Sequence, residues 1–366
     1  MAVPFDAGDT ADAALGLLSA AGDAFAGRRL GFGLRRAALA ARFARHRGGA
    51  ESAIAASWLA GALAETGRVA VVVRPGTSDR LRLLAEADAP LYGARLVAAL
   101  PGMPRAAADL VRWHREHEDG TGFPDRLRWD GIPADAVALG IAHAFLELVD
   151  DPQEPRHPGE ALYEIVAESG RRFRVGLVRA FREFVLTAPD AFEPLAADLP
   201  ALDPGALLAD LAGRIDARDE RLAGRSERLA AIAGPLAARL GLDPAPVARL
   251  ARLVALGRAA ADLPPHDDGF DPLSRFGREP RQAEAKRAAA IAAAVPAYAA
   301  DAPLLAQSAV WYEESPPERP AAVVALALAA DALDPVEGPR RLAAAAGTQF
   351  DPAVVQAYLV SLGAAT

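Results

Sequence analysis

The chain has 366 residues, of which 52% are hydrophobic and 24% charged, so it is long enough for two compact domains and too apolar to remain disordered. It contains no cysteine, which excludes disulfides, thiolate metal ligands and cysteine nucleophiles and fits a cytoplasmic location. The net charge of -8, with arginines interleaved with acids, argues against nucleic-acid binding. The most apolar run, Ala321 to Leu333, is shorter than the roughly 20 residues that a membrane span needs, so we expect no membrane insertion.

The first part of the chain predicts two helices. Between residues 12 and 48, apolar residues recur at helical spacing, with arginines on the opposite side. Gly48-Gly49 ends this helix, and a second helix over residues 52–66 is closed by Gly67 at a C-cap-like position. The β-branched run Val69 to Val73 is then either a short strand or a buried extended segment.

The passage from Trp113 to Pro133 has a composition that packing alone does not explain. A helix over residues 106–115 precedes a loop, and a new apolar run opens at Ile132-Pro133. The loop consists of Asp119, Gly120, Thr121, Gly122, Phe123 and Pro124. Its two glycines permit a left-handed or strained backbone, and its proline blocks helix continuation. The sequence therefore predicts a structured loop here.

This passage resembles the motif of the HD-GYP branch of the HD-domain phosphohydrolases, which runs roughly HHExxDGxGYP and is followed by a spacer and Ile-Pro. His114-Arg115-Glu116 stands where the family has His-His-Glu, Phe123 replaces the tyrosine, and Ile132-Pro133 lies at the matching distance. A match over about twenty residues is far more specific than a lone glycine pattern. The resemblance implies an all-α fold of helical bundles and a phosphohydrolase ancestry.

The resemblance also implies that most of the family's metal ligands are absent. Four positions where the family has metal ligands carry residues that cannot bind a metal ion: Gly33, Ala64, Ala89 and Arg115. Glu65, His114 and His143 remain able to bind a metal ion. Either these three hold a single transition metal, iron or manganese, that activates water toward a phosphodiester, or they make ordinary hydrogen bonds. No cofactor is the main expectation, and His114, Glu116 and Arg68 are then vestigial catalytic residues.

The loop and its neighbouring charges also have two interpretations each. In the family the loop contributes to cyclic-dinucleotide binding and to contacts with diguanylate-cyclase partners; the alternative is an inherited turn whose Phe123 packs inward. Arginines at 112, 115, 126 and 128 either receive phosphates or form a solvated face paired with acids at 116, 118, 125 and 130. We expect His117 and Glu118 to form a solvated helix end.

The second half of the chain resembles a further copy of the same fold. Its counterparts to the family's ligand positions are Arg225, Gly257, Arg258, Trp311, Tyr312 and Leu328. The closing turn is matched in full by residues 347–352, and the segment equivalent to the loop at 119–124 is missing. Because these residue types leave essentially no metal ligands, the second copy is not expected to be an HD enzyme.

We therefore expect an all-α protein of two tandem HD-like bundles: a degenerate HD-GYP domain at 1–188, a linker at 189–220 and a second degenerate domain at 221–366. The main functional prediction is a catalytically impaired homologue that serves in signalling, nucleotide sensing or assembly. Its expected partners are another protein or a second copy of the chain, with a cyclic dinucleotide as a further candidate. The alternatives are a metal-dependent phosphohydrolase that hydrolyses cyclic di-GMP through Glu65, His114 and His143, and a structural dimerisation module.

Overall fold

The computed structural model describes residues 10–70, 78–100, 102–151, 153–188, 204–259, 271, 273–274 and 277–363. Over these ranges the chain consists of helices, connecting loops and two isolated β-bridges, which confirms the all-α prediction. The chain divides into two compact units, residues 1–203 and 204–366. Among the described helices, none combines the length and the apolar character needed to cross a membrane.

Eight α-helices form the described part of the first unit. They are α1 (Thr10–Phe25), α2 (Phe32–His46), α3 (Glu51–Leu63), α4 (Asp79–Ala99), α5 (Arg105–Trp113), α6 (Ala134–Val149), α7 (Pro158–Ala167) and α8 (Val175–Thr187). Short 3-10 helices span Thr66–Ala70 and Trp129–Gly131. The strand interpretation of residues 69–73 is therefore wrong for Val69 and Ala70, and residues 71–73 lie outside the described ranges.

Helix α6 lies in the centre of the first unit. Most of its side chains are apolar, and residues 136–146 are all buried, as expected for a helix without a continuous polar face. Phe145 of α6 meets Phe181 of α8 edge to face at 5.3 Å between ring centroids, and Phe181 meets Phe43 of α2 at 5.0 Å. Burial of each ring contributes roughly 1.5–3 kcal/mol. This aromatic cluster fixes the helix that carries His143.

Helices α2 and α3 cross very closely, and a glycine makes the approach possible. A Cβ atom on Gly61 would lie 2.5 Å from the Cα of Ala37, closer than any side chain tolerates. Because the two helices lie so close, the side chain of Arg36 reaches the backbone carbonyl of Gly61 and donates a hydrogen bond to it. The end of α3, with Glu65 just beyond it, is thereby held against α2.

Eight α-helices also form the described part of the second unit. They are α9 (Pro204–Asp216), α10 (Arg225–Arg239), α11 (Pro244–Leu253), α12 (Arg278–Ala293), α13 (Ala302–Gln307), α14 (Arg319–Ala332), α15 (Gly338–Ala344) and α16 (Pro352–Ser361). Short 3-10 helices span Glu220–Leu222, Val254–Arg258 and Pro296–Asp301. Residues 204–216, which the sequence assigned to a linker, pack as α9 against α10 and α11 and bury Leu208, Leu211 and Ile215.

The order of elements in the second unit parallels that in the first. In both units a 3-10 helix follows the third α-helix, at Thr66–Ala70 and at Val254–Arg258. In both, an isolated bridge precedes the last helix, between Ser169 and Phe173 and between Ala346 and Phe350. A duplication predicts this parallel order, and the duplication itself stays a prediction.

Candidate functional site

Three residues that are distant in sequence meet inside the first unit. Glu65 follows α3, His114 ends α5, and His143 lies within α6. One nitrogen or oxygen atom from each lies within 4.8 Å of those of the other two, and all three residues are buried. The three residues that the sequence singled out as candidate metal ligands are thus neighbours.

Arginines surround the Glu65 carboxylate. Nη2 of Arg115 donates to Oε1 at 2.7 Å, Nε of Arg68 donates to Oε2, and Nη1 of Arg36 lies 3.7 Å from Oε1. Burial by itself would raise the pKa of Glu65, but the charges of Arg115, Arg68, His143 and Arg36 outweigh it and hold the pKa well below its usual range. The carboxylate is therefore ionised and already neutralised by guanidinium groups.

Arg36 is the most deeply buried of these arginines, and sequence reasoning missed it. Its side chain has no exposed surface. Nε donates to the carbonyl of Gly61 at 2.7 Å, and Nη1 lies 3.1 Å from Nδ1 of His143. The expectation that the arginines of this helix face solvent is wrong here. A signal was present, because Arg36 precedes the buried Ala40 and Phe43 by four and seven residues and so shares their face.

His143 is engaged through both ring nitrogens. Its Nε2 lies 3.1 Å from Oε1 of Glu147, one turn further along α6. Because the guanidinium of Arg36 can only donate, Nδ1 must accept from it, which places the ring proton on Nε2 and directs it to Glu147. Nη2 of Arg115, 3.2 Å from the same Nε2, donates to Glu65 instead. Burial lowers the pKa of His143 to about 4, so the ring is neutral at pH 7.

His114 differs because one of its nitrogens is free. Its Nδ1 lies 2.8 Å from the carbonyl of Val111 and donates to it, so Nε2 carries a lone pair. That Nε2 is buried and has no hydrogen-bond partner. Burial, and then the charge of His143, hold the pKa of His114 well below its usual range. This nitrogen is an unused acceptor within the site.

The residues do not fit a divalent metal ion as they lie. Both carboxylate oxygens of Glu65 accept hydrogen bonds from guanidinium groups, and both nitrogens of His143 are engaged. Only Nε2 of His114 remains available. A divalent cation would also meet three nearby arginines, whose like charge opposes it. Metal binding would require Arg68 and Arg115 to leave Glu65.

The position equivalent to the family's first histidine is closed by its surroundings. A Cβ on Gly33 would lie 2.3 Å from Oγ of Ser19 and 3.2 Å from Oδ1 of Asp23. The Asp23 carboxylate accepts from the backbone N–H groups of Gly31 and Gly33, both at 3.0 Å. Burial raises the pKa of Asp23 to about 7. Sequence reasoning gave no role to Asp23, which stands here beside the place of a missing ligand.

The loop at residues 119–124 folds as the glycine pattern predicts. Gly120 has a φ of 78°, in the left-handed region. A Cβ on Gly122 would lie 2.2 Å from the backbone nitrogen of His117, so this position requires a glycine. The N–H of Phe123 donates to the carbonyl of Arg115 at 3.1 Å, and the Arg115 guanidinium lies 5.9 Å from the Phe123 ring centroid. The loop is therefore joined to the arginine that binds Glu65.

Two acids beside the loop, Glu116 and Glu118, accept hydrogen bonds that fix this part of the chain. Glu116, taken as a vestigial catalytic residue, accepts from three successive backbone N–H groups at residues 125–127, at 2.6, 3.0 and 2.9 Å. Glu118, expected to be solvated, is 1% exposed and accepts from Nε of Arg174 at 2.6 Å. The solvated-end prediction is therefore wrong for Glu118. Both carboxylates hold the segment in place.

Two of the arginines that bracket the loop have different partners, and only one of them matches the solvated-face interpretation. Arg112 pairs with Asp125 at 2.6 Å near the surface, as the solvated-face interpretation predicts. Arg115 turns inward to Glu65 and does not join that face. This difference could not be read from spacing, since it depends on where Glu65 lies in space.

Comparisons with known proteins agree with this architecture. Residues 28–174 match the family model described as an HD domain. This match and the relatives described next support the predicted kinship with the HD-domain phosphohydrolases.

Two Vibrio cholerae proteins are similar to it. One, a 3'3'-cGAMP-specific phosphodiesterase 2 from serotype O1, is 32% identical over 98 residues, which are 26% of this chain. The match spans only 18% of that protein's length. The other is a crystal structure of a cyclic GMP-AMP specific phosphodiesterase, with a TM-score of 0.69 at 19% identity, covering 98% of this chain and 99% of that one. At that identity the structural likeness shows the fold alone.

These findings support an HD-domain phosphodiesterase-like protein. They favour the phosphodiesterase alternative over the prediction of a catalytically impaired homologue, and they do not show that catalysis has been lost. Homodimer formation and a protein partner stay predictions.

Proposed function

We propose that the first unit binds the phosphodiester of a cyclic dinucleotide, and that arginine guanidinium groups bind the phosphate directly. One observation carries the proposal: the Glu65 carboxylate, which stands where the family has a metal ligand, is held by Arg115 and Arg68 with Arg36 close by. Planar guanidinium groups bind phosphate oxygens through paired, charge-assisted hydrogen bonds. The names of the two similar proteins suggest the class of ligand.

The charges of the site favour an anion. Four arginines lie in or beside it: Arg28, Arg36, Arg68 and Arg115. They face two carboxylates with lowered pKa values, Glu65 and Glu147. With the histidines neutral, the surplus is positive but small, because Asp23, whose pKa is about 7, is partly ionised at neutral pH and the half-exposed Glu86 lies 3.7 Å from Arg68.

Arg115 and Arg68 are the arginines that a ligand can reach. Their side chains are 22% and 16% exposed, whereas that of Arg36 is fully buried. An incoming phosphate would compete with Glu65 for these two side chains, while Arg36 continues to neutralise the carboxylate. Arg115 also contacts Phe123, so a ligand that moves Arg115 would change the packing of the loop at 119–124.

Calorimetry tests the proposal. The protein is titrated with 3'3'-cGAMP and with cyclic di-GMP in the presence of a chelator, and we expect binding without metal. Arg115→Ala removes a charge-assisted contact and should weaken binding about tenfold or more. Arg112→Ala is the matched control, since Arg112 lies three residues earlier, in the last turn of α5, but pairs with Asp125. Absence of heat with both ligands, or an equal effect of the two substitutions, would refute the proposal.

A second candidate function is metal-dependent hydrolysis of a cyclic dinucleotide. Two observations favour it: the free Nε2 of His114, and the closeness of potential ligand atoms on Glu65, His114 and His143. It is tested by following the ligand chromatographically with manganese or iron present. Turnover that depends on metal and disappears in His114→Ala would establish this function and rule out the metal-free arrangement. Lack of turnover in both proteins, with binding retained, would support the impaired-homologue prediction.

A further inference from the structure

The second unit contains a cavity that has no part in the function proposed for the first unit. It has a volume of about 30 Å³ and lies among α10, α12, α14 and the turn before α16. Its walls include three arginines, one carboxylate and one tryptophan: Arg225, Arg278, Arg281, Glu284 and Trp311. Such a lining is unusual for a space left by imperfect packing, which would be apolar.

One arginine of this cavity, Arg225, is held only loosely by its acidic partner. Arg225 is 6% exposed, and its ion pair with Asp331, at 3.6 Å, is longer than a hydrogen bond. Asp331 is bound more closely by Arg228, at 2.6 Å. Burial, and then the charge of Arg225, lower the pKa of Arg281. An anion in the cavity would give the buried Arg225 a closer partner than Asp331.

The third arginine is held in a fixed orientation. The guanidinium of Arg278 lies 4.6 Å from the ring centroid of Trp311, and its Nη1 donates to Glu314 at 2.6 Å. Its Nε is buried and has no hydrogen-bond partner. A planar cation that is already oriented loses little side-chain entropy when it binds an oxyanion. The acidic residue in the cavity wall, Glu284, lies 3.7 Å from Arg258, which partly neutralises its charge.

The cavity lies at the place in the second unit that corresponds to the site of the first. Arg225, Trp311 and Leu328 are the counterparts, by sequence resemblance, of Gly33, His114 and His143, and all three line it. The second unit therefore has an arginine, a tryptophan and a leucine where the first has Gly33 and its two buried histidines.

We propose that this cavity is a binding site for a phosphate group. A cavity needs roughly 10–15 Å³ per water molecule, so this one has room for a small oxyanion in place of about two waters, and the remainder of a larger ligand would stay outside. An apolar ligand would give Arg225 no closer partner than Asp331, and a cation would be repelled. The proposal concerns the second unit alone and does not depend on the function of the first.

The test is calorimetry of the full chain with inorganic phosphate and with guanosine monophosphate. The removal of one charge-assisted contact in Arg225→Gln or Arg281→Gln should weaken binding about ten- to hundredfold. Arg214→Gln is the matched control, because this exposed arginine of α9 pairs only with Asp210 in its own helix, and binding should not change. Binding of phosphate alone would identify a free anion as the ligand, and binding of both would identify a phosphomonoester whose carrier lies outside.

Folding and the first unit are controlled separately. Should Arg225→Gln fail to fold, as judged by circular dichroism, Arg225→Lys keeps the charge but loses the planar fork and should bind more weakly than the wild type. Arg115→Ala, which tests the first unit, should leave phosphate binding here unchanged. The proposal is overturned if the wild type binds neither ligand, or if the cavity variants bind as tightly as the Arg214 control.

Discussion

Replacement of Glu65 by glutamine should destabilise the first unit by several kcal/mol. The substitution keeps the shape of the side chain but removes the charge that Arg36, Arg68 and Arg115 share. Loss of one partner from a buried ion pair costs about 3–5 kcal/mol, because the other charge remains buried and uncompensated. Arg36 is fully buried and meets that condition, whereas Arg68 and Arg115 are partly exposed and can turn to water. We therefore expect a loss of about 3 kcal/mol, the lower end of the range.

Urea unfolding followed by tryptophan fluorescence measures this loss. A Trp311→Phe background leaves only tryptophans of the first unit, Trp58, Trp113 and Trp129, so the signal reports that unit. The matched control is Glu164→Gln in the same unit, whose carboxylate is 49% exposed and pairs with Arg156. An exposed pair contributes about 0–1 kcal/mol, so the control should change little.

The same assay separates guanidinium from metal as the partner of Glu65. If arginines neutralise the carboxylate, a chelator should leave the unfolding midpoint of the wild type unchanged. If a bound metal does so, the chelator should destabilise the protein, because a ligand that binds only the folded state stabilises it. A chelator effect as large as that of Glu65→Gln, or a loss below about 1 kcal/mol in the variant, would refute the reasoning.

Three further predictions concern the same unit. Because the folded-state pKa of Asp23 is raised to about 7 from 3.8, its contribution to stability is full below pH 3.8 and is lost as pH rises through 7. The difference in unfolding free energy between the wild type and Asp23→Asn should therefore fall by up to about 1.4 kcal/mol per pH unit across that window; a flat difference would contradict it. Gly122→Ala should increase hydrogen exchange across the loop at 119–124, because its Cβ would lie 2.2 Å from a backbone nitrogen; unchanged protection would argue against this crowding. Glu116→Ala should release three backbone N–H groups at 125–127 and speed their exchange, while His114 keeps its NMR shifts if Glu116 only anchors the segment.

The sequence by itself determined the fold class and the location of the site. Helical periodicity predicts helices, and the motif from His114 to Pro133 carries the resemblance to the HD domain that residues 28–174 match. The glycines of the loop predict a left-handed backbone, and Gly120 adopts it. The resemblance to the family also singles out Glu65, His114 and His143 as candidate metal ligands, and the structure places them side by side.

Only the tertiary structure decided which partners the charged residues have. Arg115 binds Glu65, 50 positions earlier in the chain, and Arg36 reaches His143, 107 positions later. Helical spacing cannot predict such pairs, because an arginine on a helix has the same pattern whether it meets water or a buried carboxylate. The partner depends on how closely two helices approach, which at α2 and α3 depends on the missing side chain of Gly61. Long-range packing therefore determines whether this site holds a metal ion or guanidinium groups.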